Sequence, residues 1–195
     1  ETYLNKEYVV RQEGWEDSVY YMINQYVEKA QKTDEVLGAV ADYMETLDRP
    51  AVVVFYGDHL PNFNQKTNDI LPQIGIDVTK SGFEGDMLTH RTPYIIWGNT
   101  AYREQLEKFN LPLMSGDNGV ISSNYLGIEL LKYMNAPMSS HFKFIKSVEE
   151  EIPVITPYYY VTEDGTVTDE LSEDLKKKLE QYKIIQYYAI SDYKK

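Results

Sequence analysis

Ala51-Val52-Val53-Val54-Phe55-Tyr56 is an unbroken apolar run, rich in β-branched residues, between Asp48-Arg49-Pro50 and Gly57. No polar residue alternates with its apolar ones, so it has no face suited to water. Such a run predicts a strand buried on both faces. A strand of that kind must lie between layers, which narrows the chain to an α/β domain. Before it, Val19, Ile23, Tyr26, Val27 and Ala30 recur at helical spacing, and the face continues through Leu37, Val40, Ala41, Met44 and Leu47. The spacing predicts one long helix over 16–47, with Thr33-Asp34 as its weakest point. Gly38 inside it costs up to about 1 kcal/mol against Ala, and close approach of the helix to a sheet would explain it. After the strand, Thr92-Pro93 opens a second apolar run, Tyr94-Ile95-Ile96-Trp97, which Gly98-Asn99 ends. The expected architecture is a mostly parallel buried sheet flanked by helices.

Residues 61–91 show no period and read as a long irregular insertion, with Ile70-Leu71 their only strong apolar pair. Helices are expected over 100–109, 120–134 and about 140–150. From 153 the pattern changes: Val154-Ile155 and 158–161 read as strand, Glu163-Asp164-Gly165 as a hairpin turn, and 169–187 as the last helix. Residues 1–150 thus form the α/β core part, and 151–195 a small C-terminal β-hairpin and helix. The run Lys176-Lys177-Lys178 reads as a solvated helix face.

With 195 residues and 43% hydrophobic composition, the chain can bury a core without covalent staples. It has no cysteine, which excludes disulfides, thiol catalysis and Cys-type zinc sites. The formal net charge of −12 argues against nucleic acid and against an anionic membrane surface as partners. An anionic substrate remains open, because a bound divalent cation reverses the local field. The chain opens on Glu1, not Met, which suggests a piece of a longer protein. Its 18 tyrosines include Tyr158-Tyr159-Tyr160 and Tyr187-Tyr188. These clusters suit either packing with the hydroxyl at the edge, the favoured reading, or a carbohydrate surface.

The segment that carries chemistry is Tyr56-Gly57-Asp58-His59-Leu60-Pro61. In open α/β sheets, ligands bind beyond the carboxyl ends of the strands. Gly57 lets the chain turn as it leaves the sheet, so Asp58 and His59 arrive together at the strand tip. A carboxylate and an imidazole side by side can share one cation such as Zn²⁺ or Mn²⁺. A strand-end Asp that caps a helix, beside an incidental His, is the plain alternative.

The segment from Ala51 to Pro61 closely resembles the Gly-Asp-His segment of the lipoteichoic acid synthase-like, or phosphoglycerol transferase-like, sulfatases of the alkaline phosphatase superfamily. Thr33-Asp34, 92–99, Ser123-Asn124-Tyr125-Leu126-Gly127, 150–155 and Gln186-Tyr187 extend the likeness over nearly the whole chain. The resemblance implies an alkaline phosphatase-like fold, present in part, with Asp58 and His59 as metal ligands. It implies a divalent metal, Mn²⁺ first, with Mg²⁺ or Zn²⁺ as alternatives. In that family a metal-held Thr hydroxyl attacks phosphorus, and the Thr and an acidic ligand belong to segments upstream of those seen here. The chain is then expected to be the C-terminal portion of one catalytic domain, without its nucleophile and inactive alone. The implied substrate is a glycerophospholipid or glycerophosphate polymer. The implied location is the extracytoplasmic face of the bacterial membrane, reached through an N-terminal segment. A true sulfatase or phosphomonoesterase, and a non-catalytic module that binds envelope polymers, are the rival readings.

His90 is a candidate substrate contact, set against a plain surface role. His141, Asp86, Asp117 and Asn118 are read as capping or turn residues. Ser122 and Ser123 lack a base nearby in sequence and read as helix-start residues. Arg91 and Arg103 are possible anion contacts.

Overall fold

The computed structural model describes residues 7–116 and 119–192, so Asp117-Asn118 lies outside the described residues. The chain forms two compact units, Glu1–Gln105 and Leu106–Lys195.

In the first unit, helix α1 (Asp17–Glu45) runs unbroken through Thr33-Asp34. Its N-terminal half buries Val19, Tyr20, Ile23 and Asn24. Val19 and Ile23 pack with Phe63, Ile70 and Leu71 as the core of the unit. Asn24 is buried because its Oδ1 accepts the backbone N–H groups of Tyr8 (2.7 Å) and Val9 (3.2 Å). The C-terminal half of α1 is more open, and Val36, Val40 and Tyr43 are exposed there. A Cβ at Gly38 would meet nothing within 4 Å, so close approach to a sheet is not the reason for that glycine.

Strands β1 (Val52–Tyr56) and β2 (Tyr94–Gly98) pair antiparallel, from Val52↔Gly98 to Tyr56↔Tyr94. The expected mostly parallel sheet is therefore corrected: the described residues hold a mixed α/β arrangement with small antiparallel sheets. The cause is visible at the tip of β1. The Gly57 N–H donates to the Pro93 carbonyl at 3.0 Å, so the segment between them leaves and re-enters at the same end. A parallel partner would need a crossover that carries the chain to the opposite end. Burial on both faces is not reached either. The residues of β1 are half-buried and Tyr56 is 57% exposed, because two strands cannot cover both of their own faces.

The segment expected to be irregular is largely helical. It holds a 3-10 turn (Asn64–Lys66), α2 (Thr67–Ile70), a second 3-10 turn (Leu71–Ile74) and α3 (Gly82–His90). These pieces are too short to show a period. Ile70 and Leu71, buried in the core of the unit, hold α2 and the second 3-10 turn in place. Helix α4 (Thr100–Lys108) follows β2 at once.

The second unit is built on α5 (Leu126–Tyr133), α6 (Ser140–Glu151), β3 (Val154–Ile155), β4 (Tyr160–Val161), β5 (Val167–Thr168) and α7 (Glu173–Asp192). The helix expected from 120 begins only at Leu126, after a 3-10 turn over Ser123–Tyr125. Strands β3, β4 and β5 form an antiparallel meander. Gly165, at φ +80°, turns β4 into β5 where an L side chain would be strained.

Ile145 and Val148 on the buried face of α6, and Ile152 just after it, pack with Tyr125, Ile128, Leu179 and Tyr182. Each such side chain contributes roughly 1.5–3 kcal/mol by leaving water. Glu129 and Glu149 are buried beside this core, and Lys132 Nζ bonds both, at 2.6 and 2.7 Å. Lys178 departs from the solvated face expected for it: it pairs with Glu151 and donates to the Ser147 carbonyl at 2.8 Å. No helix among the described residues is long and apolar enough to cross a membrane.

Candidate metal centre at the tip of the first strand

Asp58 and His59 follow β1 directly and stand in solvent, with side chains 81% and 72% exposed. Each spends one polar atom on nearby backbone. Asp58 Oδ1 accepts the His59 N–H at 3.0 Å. His59 Nδ1–H donates to the Leu60 carbonyl at 2.6 Å. A ring that donates from Nδ1 keeps a free lone pair on Nε2 when neutral. The two atoms left over, Asp58 Oδ2 and His59 Nε2, face each other at 3.6 Å.

That donor set fits a divalent cation. Two donors about 2.1 Å from one ion, at a near-tetrahedral angle, lie about 3.4 Å apart. Orientation of a metal-binding imidazole by a backbone carbonyl on its other nitrogen is the common arrangement in such sites. Among the described residues no group of three His, Asp or Glu side chains is gathered to hold a metal, so the pair stands as two donors.

The backbone beneath the pair is closely tied. Beyond Tyr56↔Tyr94, Gly57 continues the ladder through its N–H to Pro93, and its carbonyl accepts the Thr92 hydroxyl at 2.7 Å. A Cβ on Gly57 would stand 3.1 Å from Thr92 Cβ, a tight contact that favours glycine there. The opposite end of the ladder is closed by Asn99. Its N–H donates to the Ala51 carbonyl and its Oδ1 accepts the Ala51 N–H, both at 3.0 Å. Asn99 Nδ2 donates to the carbonyls of Met44 (2.9 Å) and Arg49 (3.0 Å), and Oδ1 also accepts the Tyr102 N–H. One buried amide therefore joins the end of α1, the start of β1 and the start of α4. Its place after the apolar run and Gly98 was the available signal, since an Asn that ends a strand often bonds backbone.

The remaining candidates separate clearly. His90 is the last residue of α3, and its Nδ1 lies 3.0 Å from both the Asp86 carbonyl and Thr89 Oγ1. Arg103 is not a free anion contact. It bonds the Gly98 carbonyl (2.6 Å), Glu45 (3.0 Å) and Thr100 Oγ1 (2.7 Å). Arg91 is exposed. Ser122 is a structural tie whose Oγ donates to the Ile155 carbonyl and accepts the Ile155 N–H. His141 stands in the first turn of α6, edge-on to Phe142.

A protein of Rhizobium meliloti (strain 1021) named "Putative cyclic beta-1,2-glucan modification protein" is 25% identical over 165 residues, which is 83% of this chain and 24% of that protein. The chain thus spans about a quarter of the length of that relative. No solved structure matches the chain significantly. The sulfatase family profile matches residues 1–136, which include β1, Asp58, His59 and β2. Members of that family generally use a divalent metal. On this match, extending over more than half of the sequence, the chain belongs to the sulfatase family.

Proposed function

We propose that this chain is the C-terminal portion of the catalytic domain of a sulfatase-family enzyme that transfers or hydrolyses glycerophosphate groups. Asp58 and His59 supply two ligands of its divalent cation, Mn²⁺ in preference to Mg²⁺ or Zn²⁺. The observation that carries this reading is the convergence of Asp58 Oδ2 and His59 Nε2 at 3.6 Å on an exposed strand tip, each side chain locked through its other polar atom. The cation, when bound, polarises a phosphoryl oxygen and acidifies the attacking hydroxyl. The protein holds the two donors ready in position, and the Gly57 ties fix the backbone from which they extend. Two ligands seldom hold a metal alone. In this reading the Thr nucleophile and a further acidic ligand lie upstream, and the piece alone is inactive.

The donor is a glycerophospholipid or a glycerophosphate polymer. The acceptor is a glycan hydroxyl, in line with the name of the Rhizobium relative. The reading places the enzyme on the extracytoplasmic face of the membrane, anchored by segments outside this sequence. Exposed Tyr158, Tyr187 and Tyr188 favour a second reading, a polymer-binding module on the same fold without catalysis.

The full-length protein decides between them. Glycerophosphate release from phosphatidylglycerol should require Mn²⁺, and Asp58→Ala should abolish it while the fold persists. Undiminished release by that variant would remove the metal assignment. Absence of release by the unaltered protein, with carbohydrate polymer still bound, would favour the binding module.

A further inference from the structure

We propose that Thr92 is a positioning residue for the Asp58–His59 pair: its hydroxyl replaces the backbone donor that Pro93 lacks and so locks the Gly57 peptide from which the pair extends. The inference rests on the reading of Asp58 and His59 as metal ligands.

The register gives the reason. In an antiparallel ladder, residues of a hydrogen-bonded pair exchange two bonds, each N–H going to the partner's carbonyl. Gly57 and Pro93 stand as the next such pair beyond Tyr56↔Tyr94. One bond is made, from the Gly57 N–H to the Pro93 carbonyl at 3.0 Å. The reciprocal bond cannot form, because proline has no N–H. The Gly57 carbonyl would be left to water at the very point where the chain turns out of the sheet. Thr92 Oγ1 fills that position and donates to it at 2.7 Å.

With both of its polar groups engaged, the Gly57 unit cannot rotate freely, and the direction of the next residue, Asp58, is set. The side chain contributes shape as well. Thr92 Cβ and Cγ2 lie 3.1 and 3.5 Å from the point a Gly57 Cβ would occupy, so the β-branched residue sits over the glycine. The opposite end of the ladder uses the same device, with Asn99 Oδ1 standing in for a main-chain acceptor of the Ala51 N–H. Side chains thus complete the ladder at both ends, and the end that carries Thr92 is the one that carries the donors.

The test uses the full-length protein in three variants, with Mn²⁺ affinity read from the free-ion electron paramagnetic resonance signal and exchange of the Gly57 amide measured without metal. Thr92→Val keeps the shape and loses the hydroxyl. It should weaken Mn²⁺ about tenfold, the low end of effects seen for groups behind metal ligands, and speed amide exchange at Gly57. Thr92→Ser keeps the hydroxyl and should restore both readings to near those of the unaltered protein. Asp58→Ala tests the ligand reading itself. If it abolishes binding while Thr92→Val stays within twofold of the unaltered protein, the positioning role is overturned and the ligand reading survives. Equal weakening by Val and Ser also overturns the role of the hydroxyl. Undiminished Mn²⁺ binding by Asp58→Ala overturns both. Should Thr92→Val fold too poorly for titration, unchanged Gly57 exchange in Thr92→Ser supports the proposal and accelerated exchange overturns it.

Discussion

The two compact units treat buried polar groups in opposite ways. In Glu1–Gln105, the interior polar side chains Asn24 and Asn99 are neutral, and each is matched to backbone partners. Charge at the proposed site is kept outside, on the exposed tip with Asp58 and His59. In Leu106–Lys195 the interior holds Glu129 and Glu149 against the single ammonium of Lys132, and Glu149 Oε1 is buried without a hydrogen-bond partner. Two carboxylates and one ammonium leave an excess negative charge in a place that solvates it poorly. The unit that carries the donors therefore fixes the backbone beneath them with neutral bonds, whereas the interior of the other unit has a built-in sensitivity to protons.

Asn99→Ala should break that contrast most severely. It removes one amide that serves two carbonyls and two N–H groups, and it leaves buried backbone groups without partners. A loss of about 4 kcal/mol is expected, at the high end for a single substitution. Both tryptophans, Trp15 and Trp97, belong to the first unit, so their fluorescence during denaturation reads that unit alone. A loss below about 1 kcal/mol would mean that water replaces the amide easily and that the neutral ties are not what holds the ladder.

The pH response of the second unit is the next largest effect. Burial, and then the neighbouring Glu129 carboxyl, push the Glu149 carboxyl up to about 7 from its ordinary 4.5, against the opposing pull of Lys132. Tyr125 of the preceding 3-10 turn also faces this charge. A pKa raised on folding means that the folded state binds the proton more tightly than the unfolded one. The stabilisation is complete below about pH 4.5 and is lost as pH rises through 7. The whole shift corresponds to about 3 kcal/mol. Glu149→Gln should flatten the profile and leave the second unit more stable than the unaltered one at pH 8. Amide exchange in α6, followed from pH 5 to pH 8, measures it, and an unchanged slope in the variant would assign the proton elsewhere.

Much of the first unit was legible, because β1, β2 and α1 follow from apolar runs and period alone. Strand direction was not. An apolar run reports burial, while direction depends on where 57–93 returns, which only the Gly57–Pro93 bond shows. The short helical pieces around Ile70 and Leu71 escaped because tertiary contacts of those two residues hold them. At the site, the adjacency of Asp58 and His59 could be read directly. The part played by Thr92 could not, since it needs the register; the available signal was a Pro entering a ladder, which leaves a partner carbonyl without a donor. Glu149-Glu150-Glu151 resembles a solvated run. Only the spacing of Glu149 from Ile145 and Ile152, four before and three after, puts it on the buried face.

The smallest expected effect sharpens the comparison by separating helix stability from buried charge. Ser139 caps α6, its Oγ accepting the Phe142 N–H at 3.3 Å, a long bond. At the start of α1 in the first unit, Glu16 makes no side-chain cap bond. Ser139→Ala should cost the second unit about 1 kcal/mol or a little less, the usual loss for an N-cap. The loss should be equal at pH 5 and pH 8, since the cap bond joins a hydroxyl and a backbone N–H, neither of which titrates between them. Ser139→Asp should recover it, because a carboxylate both accepts the bond and suits the positive end of the helix. The same exchange measurement on α6 that follows Glu149→Gln reads both variants. A pH-independent offset would leave the unbalanced triad as the source of the slope. If Ser139→Ala instead altered the slope as much as Glu149→Gln does, the proton sensitivity would belong to fraying of α6, and the contrast between the two interiors would lose its electrostatic basis.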